Sequence, residues 1–241
     1  MKKIIGLLLV GTLSSISLGE NLNGIDKNSF NLRVGGDLNT KVSSIGKYSE
    51  SSTEDYGYEI GFEYMRSLTP KFSLGLGLAY QEHSKINGKK YETEYVNGAI
   101  ETEYSKGYED FKGYNSIPVY LTGKYILTDR WAIKPYIKGN IGYSFNFGNK
   151  DIHYSNGYTS ENENTDQVVG GEVFEAYTIN TKVDNGLYYG AGFGFEYKSF
   201  SGEIMYQINE GKLSLSNESP SINEKYNLNY KRISGILTYK F

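Results

Sequence analysis

Residues 115 to 145 read NSIPVYLTGKYILTDRWAIKPYIKGNIGYSF. Two alternating runs flank a short break, Thr128 to Arg130. In the first, Ile117, Val119, Leu121, Tyr125 and Leu127 share one side, and Tyr120, Thr122 and Lys124 share the other. In the second, Trp131, Ile133, Ile137, Ile141, Tyr143 and Phe145 oppose Lys134, Tyr136, Lys138 and Asn140. A period of two is the pattern of a strand with two unlike faces. Each run has about the ten residues that a tilted strand needs to cross a bilayer. The stretch therefore predicts two antiparallel strands joined by a tight turn.

Working outward, the same alternation recurs over residues 30–40, 56–65, 72–81, 187–197, 200–208 and 231–241. The joins alternate in length. Ser67 to Lys71, Thr128 to Arg130 and Lys198-Ser199 are tight, whereas the other joins run to about 15, 33, 40 and 20 residues. Short turns at one end and long loops at the other predict an all-β fold, an eight-stranded antiparallel up-and-down transmembrane barrel. Tyr56, Tyr64, Phe72, Tyr80, Tyr125, Trp131, Tyr143 and Phe145 crowd the ends of the apolar faces, where interfacial girdles belong. The competing reading is a soluble β-sandwich. Against it, the polar faces are largely Gly, Ala and Ser beside a few charges, which suits a cramped interior better than an open surface.

The chain begins MKKIIGLLLVGTLSSISLGE. A basic start, an apolar run of about ten residues and small residues at Ser17 and Gly19 predict a cleaved secretory signal over residues 1–19. The barrel domain is then residues 20–241. With no Cys there is no lipid-anchor thiol and no disulfide framework. A net charge of −3 suggests no nucleic-acid partner. The 24 Tyr and 29 Gly, against 4 Pro and 2 His, fit many strands with an aromatic-rich surface.

If the apolar faces meet lipid, the other faces fill the lumen. They carry Arg33, Lys124, Lys134, Lys138 and Arg232, and Asp37, Glu59, Glu63, Glu196 and Glu203. Unpaired charges in a narrow lumen are costly, so a paired network is expected. Eight strands enclose a space that side chains can fill. The expected interior is a structural plug; the alternative is a narrow polar pore lined by these charges.

The signal segment, the eight alternating runs, and NSIPVYLTGKYIL with RWAIKPYIKGNIGYSF together resemble the small OmpA/OmpX-type and opacity-type outer-membrane barrels. The ending RISGILTYKF resembles their C-terminal assembly signal, with Ile233, Leu237, Tyr239 and Phe241 on one face. The resemblance implies a bacterial outer-membrane location, with lipopolysaccharide around the barrel and recognition of the C-terminus by the barrel-assembly machinery. A monomer is expected. The resemblance covers the whole mature chain and says little about activity.

Residues 91 to 104, YETEYVNGAIETEY, nearly read the same twice. Asn97-Gly98 between alternating arms is a two-residue hairpin signal. Pairing outward from it sets Glu94 opposite Glu101 and Glu92 opposite Glu103, two opposed carboxylate pairs on one face. Tyr91, Tyr95, Ile100 and Tyr104 take the other. The four carboxylates either splay into water or bridge a hard divalent cation such as Ca²⁺. No metal site is firmly assigned. The loop after residue 145 is rich in Asn, Gly and Tyr, and EVFEAYTINTKV within it is expected to extend a strand above the membrane. Tyr, Ser, Asn and Gly are also the chemistry of adaptable binding loops.

No catalytic residue and no cofactor is assigned. His83 and Ser84 are adjacent, so on a strand they face apart, and His153 lies in a loop. The expected function is display: adhesion, binding of a host or cell-surface ligand, or envelope support by loops on a rigid frame. A small passive channel is the alternative. A lipid-modifying enzyme using His83 or His153 is a distant third.

Overall fold

The computed structural model describes residues 28–53, 56–97, 100–110, 113–148, 151–162, 164–165 and 167–241. The predicted signal, residues 1–19, and the hairpin residues Gly98 and Ala99 lie outside them. The strands are β1 (Asn28–Val42), β2 (Ser49–Thr53), β3 (Tyr58–Ser67), β4 (Phe72–Glu82), β5 (Ile86–Gly88), β6 (Lys90–Asn97) and β7 (Ile100–Tyr108). They continue with β8 (Asn115–Ile126), β9 (Lys134–Phe147), β10 (Ile152–Asn162), β11 (Gln167–Asp184), β12 (Gly186–Tyr197), β13 (Phe200–Asn217) and β14 (Ile222–Lys240).

Eight of these close into an antiparallel barrel. The order is β12-β9-β8-β4-β3-β1-β14-β13, and β12 pairs back onto β13. The eight alternating runs are the eight wall strands, each starting or ending within a few residues of its predicted bounds except for the long upper ends of β13 and β14. Leu76, Leu121, Ile141, Phe193, Ile204 and Leu237 are exposed on the outside of the wall. Exposed apolar side chains on every wall strand are unfavourable in water and favourable against lipid. Aromatic pairs mark both margins. Phe30 with Tyr64 (5.3 Å between ring centroids) and Phe200 with Tyr239 (5.0 Å) sit by the short turns, and Tyr80 with Tyr58 and Phe147 (6.2 Å each) at the far end.

The long connections fold. β10 and β11 form a hairpin, and β7 pairs with β10 and β6 with β7, giving a four-stranded sheet β11-β10-β7-β6. This sheet hangs from the barrel where Asn180–Asp184 of β11 pair with Lys212–Ser216 of β13. The strand pair in the third long connection thus stands above the wall and leaves the lumen at eight strands.

Two sequence expectations are corrected. The last long connection is not a loop of about 20 residues, because β13 and β14 run on for 18 and 19 residues and only residues 218–221 turn between them. Their inward face changes from polar to apolar above the membrane, where Leu213, Leu215, Leu228 and Tyr230 are buried. The Glu-rich hairpin is shifted in register by two. Glu94 faces Glu103, but Glu92 faces Ser105 and Val96 faces Glu101, so one carboxylate pair is directly opposed where two were expected. The last described pair of this hairpin is Asn97 with Ile100.

The inward apolar residues make a second core above the lumen. Val42, Ile45, Tyr48, Ile86, Tyr108, Tyr114, Ile152, Tyr154, Ile179, Leu213, Leu215, Leu228 and Tyr230 pack together. Burying each large side chain contributes roughly 1.5–3 kcal/mol relative to exposure. The connections are therefore held by an ordinary hydrophobic core.

Candidate functional site: a filled lumen under a displayed sheet

Side chains from β1, β3, β8, β9 and β13 meet at mid-lumen. Arg33 Nη1 donates to Glu63 at 2.7 Å and to the Tyr120 hydroxyl at 2.6 Å, and Nη2 donates to Glu203 at 2.6 Å. Lys138 bonds the same two acids, at 2.8 Å to Glu63 and 3.2 Å to Glu203. The Tyr120 and Tyr136 hydroxyls donate to Glu63 (3.0 Å) and Glu203 (3.1 Å). One level toward the outside, Arg232 pairs with Glu59 and, at 3.4 Å, with Asp37. Gln81 donates to Glu59 (3.2 Å) and Ser234 to Asp37 (2.8 Å). At the short-turn mouth Lys124 pairs with Glu196 at 2.7 Å. Of the ten lumen charges named from the sequence, Lys134 alone forms no ion pair among the described residues; it lies half-buried at the rim, across the ladder from Glu196.

Two glycines make room for the tyrosines. Gly77 lies directly across from Tyr120, and a Cβ there would sit 2.3 Å from the ring. Gly194 lies across from Tyr136, where a Cβ would come within 2.6 Å. The small residues on the inward faces are thus the floor on which the rings lie.

The mid-lumen charges are enclosed. Arg33, Arg232, Glu59 and Glu63 are at most 2% exposed. The cavity beneath them, lined by Lys124, Tyr136 and Glu196 among others, measures about 20 Å³, room for one water. Above them, Asn209 donates to Gln81 (3.0 Å), Ser116 (3.1 Å) and Ser144 (3.2 Å). His83 comes next, 4.3 Å from the rings of both Tyr114 and Tyr230, with its Nε2 at 3.0 Å from Ser116 Oγ. Ser84 bonds the Tyr230 hydroxyl instead. His153 lies far off in β10, bonded to Thr178 at 3.0 Å.

The outer sheet has two unlike faces. Glu92, Glu94, Glu101, Glu103 and Glu161 fall on one; the other continues the side that carries buried Tyr108 and Tyr154. Beyond those two, Tyr95, Tyr104 and Phe174 are exposed on that second side, together with Glu172 across from Tyr158 and Glu175 across from Asn156. Among the described residues no cluster of three or more acidic or His groups has the spacing to hold a metal ion.

Asp110 ties down the base of this sheet. Its carboxylate accepts from the Gly88 N–H (2.8 Å) and from Lys85 (3.3 Å), with Lys90 at 3.9 Å. Partial burial pushes the carboxyl up, but the Gly88 N–H, Lys85 and Lys90 outweigh it and hold the group below the usual range. A depressed carboxylate contributes stability that is present above its unfolded value near ~4 and lost as pH falls through the folded value. Asp110→Asn is expected to speed exchange of the Gly88 amide about tenfold at neutral pH. The gap from the native chain should close as pH falls below ~4. Equal exchange rates at neutral pH would show that this carboxylate holds nothing.

No family model matches the sequence. An uncharacterised protein of Pasteurella multocida (strain Pm70) is 29% identical over 224 residues, which span 90% of this chain and 89% of that protein. Among solved structures, the outer membrane protein OprG from Pseudomonas aeruginosa is similar at 13% identity and a TM-score of 0.47, over 89% of this chain and 96% of its own. Ail, the attachment invasion locus protein of Yersinia pestis, solved with the heparin analogue sucrose octasulfate, is similar at 11% identity and a TM-score of 0.41, over 89% and 97%. By strand number, order and closure, the fold is that of the small eight-stranded outer-membrane barrels.

Proposed function

We propose that this chain is an outer-membrane display protein, in which a plugged barrel holds a rigid sheet above the membrane for binding a partner at the cell surface. The observation that carries this reading is the four-stranded sheet: the long connections present an ordered surface, fixed to the wall through β13 and to a core of its own. The filled lumen supports the same division of labour. The lipid-facing Leu237, Tyr239 and Phe241 suit a C-terminus read during barrel assembly, lipopolysaccharide is the expected neighbour, and the working unit is a monomer. Catalysis forms no part of the reading, since His83 and Ser116 are enclosed and bonded to each other.

Single-channel recording on the refolded chain, residues 20–241, in a planar bilayer tests it. The expected trace is silent. Stable steps whose ion selectivity changes with Lys134→Glu at the rim would make the protein a pore. Replacing residues 91–105 and 156–174 by short turns should then abolish surface binding while leaving the barrel folded.

A further inference from the structure

The exposed rings of the outer sheet form one row, with one ring from each strand. Tyr95 of β6, Tyr104 of β7, Tyr158 of β10 and Phe174 of β11 follow each other at centroid distances of 6.4, 5.7 and 5.7 Å. Tyr104, Tyr158 and Phe174 are tilted by only 38° and 37° from one to the next, whereas Tyr95 stands edge-on at 83°. Three rings thus make a gently turning platform and the fourth makes a stop. Phe174 reaches this side through a bulge: Asn156 pairs with Glu175 and Gly157 with Val173, which leaves Phe174 as the extra residue. Without the bulge the alternation would turn it to the other face. Tyr95, Tyr104 and Phe174 are 68%, 46% and 56% exposed, a large apolar area to leave in water without a partner.

The surroundings restrict what that partner is. Thr93, Asn97, Thr102, Asn156 and Ser160 share the face, so hydroxyls and amides lie beside the rings. Glu172 pairs across from Tyr158 and Glu175 across from Asn156, so two exposed carboxylates flank the rings on this face. Glu92, Glu94, Glu101, Glu103 and Glu161 lie on the reverse of the same single sheet, within the reach of electrostatic repulsion at low salt. That disfavours nucleic acid and acidic or sulfated polymers. Addition of a strand to the free edge of β6 is disfavoured by Glu92 and Glu94 along it; charged edge strands resist pairing. A row of rings flanked by hydroxyls, amides and the carboxylates of Glu172 and Glu175, which accept from hydroxyl groups, matches a chain of neutral sugar units. Their C–H faces stack on aromatic rings and their hydroxyls need many short-range partners.

We propose that the Tyr104–Tyr158–Phe174 platform binds a neutral, extended oligosaccharide, with Tyr95 marking one end of the site. This rests on the reading of the outer sheet as the working surface and names its ligand class. Isothermal titration of the refolded chain in lauryldimethylamine oxide, a detergent without a sugar headgroup, with cellohexaose, maltohexaose and chitohexaose in turn tests it. At least one should bind saturably. Tyr104→Ala and Tyr158→Ala should each weaken binding about tenfold, with unchanged gel mobility of the folded barrel. Glu94→Gln, on the reverse face, should leave it unaltered. Failure of all three sugars overturns the proposal, as does binding that is indifferent to both Tyr substitutions or a sulfated oligosaccharide that binds more tightly. If no sugar binds yet the short-turn replacement of the sheet still abolishes surface binding, display stands and the glycan falls. If the replacement changes nothing either, both fall.

Discussion

Arg33→Ala should lower the unfolding free energy of the barrel by about 3–5 kcal/mol, among the largest losses that a single lumen substitution produces. Removal of the guanidinium leaves Glu63 and Glu203 with Lys138 as their shared cation, and leaves Glu59 without its 3.5 Å contact to Arg33. The carboxylates stay enclosed by the wall, so the cost is that of buried charge with too little compensation. Arg33→Lys should recover only part of the loss. A point charge cannot reach Glu63, Tyr120 and Glu203 at once as the planar fork does. Urea titration of the barrel in lipid vesicles, read by the gel shift between folded and unfolded forms, measures both. A loss below about 1 kcal/mol for Arg33→Ala would mean that water enters the lumen and replaces the guanidinium. Adding Glu63→Gln, Glu203→Gln and Lys138→Met to Arg33→Met should recover stability, since a neutral interior does not need the network and no buried charge of the cluster is then left without a partner.

Gly77→Val should cost about 3 kcal/mol or more, from overpacking together with the hydrogen bonds it breaks. The new side chain occupies the space of the Tyr120 ring, which then cannot keep its hydroxyl between Arg33 and Glu63. Leu76→Val, one residue away on the lipid side, is a control expected to be near neutral. The decisive variant is the double one. If Tyr120 is what Gly77 accommodates, Gly77→Val with Tyr120→Ala must cost less than the sum of the two single changes. Strict additivity would show that the glycine is needed for some other reason.

The wall was legible because one physical rule governs it. Where lipid lies outside, alternation has a fixed sense, and runs such as Ile117 to Leu127 state their own length and orientation. The rule fails above the membrane, which is why residues 209–230 looked like a loop. In β13 the outward side changes from Ile204 and Tyr206 to Lys212 and Ser214, while the inward side changes from Gln207 and Asn209 to Leu213 and Leu215. Alternation persists and its meaning reverses near Gly211. The lumen charges could be named, but their partners depend on the stagger between strands. Arg33, Lys138 and Glu203 come from three strands that reach one level only once the barrel has closed. Only half of the row of rings is legible: the hairpin alone sets Tyr95 and Tyr104 on one face, whereas Tyr158 and Phe174 join them through the pairing of β10 with β7 and β11. Its members are scattered from Tyr95 to Phe174, and the last of them arrives through a bulge that no local signal announces.

The strands β13 and β14 pass through two environments without a break. Below Gly211 they belong to a wall whose inside is polar and whose outside is oily; above it they belong to a body with the opposite arrangement. Leu213, Leu215, Leu228 and Tyr230 in the upper core are rooted in strands that also span the bilayer, as is Val42 at the end of β1. The molecule thus has no seam. A graft that moves the outer sheet to another barrel must carry the upper ends of these strands with it, or it will transplant a surface and leave its foundation behind.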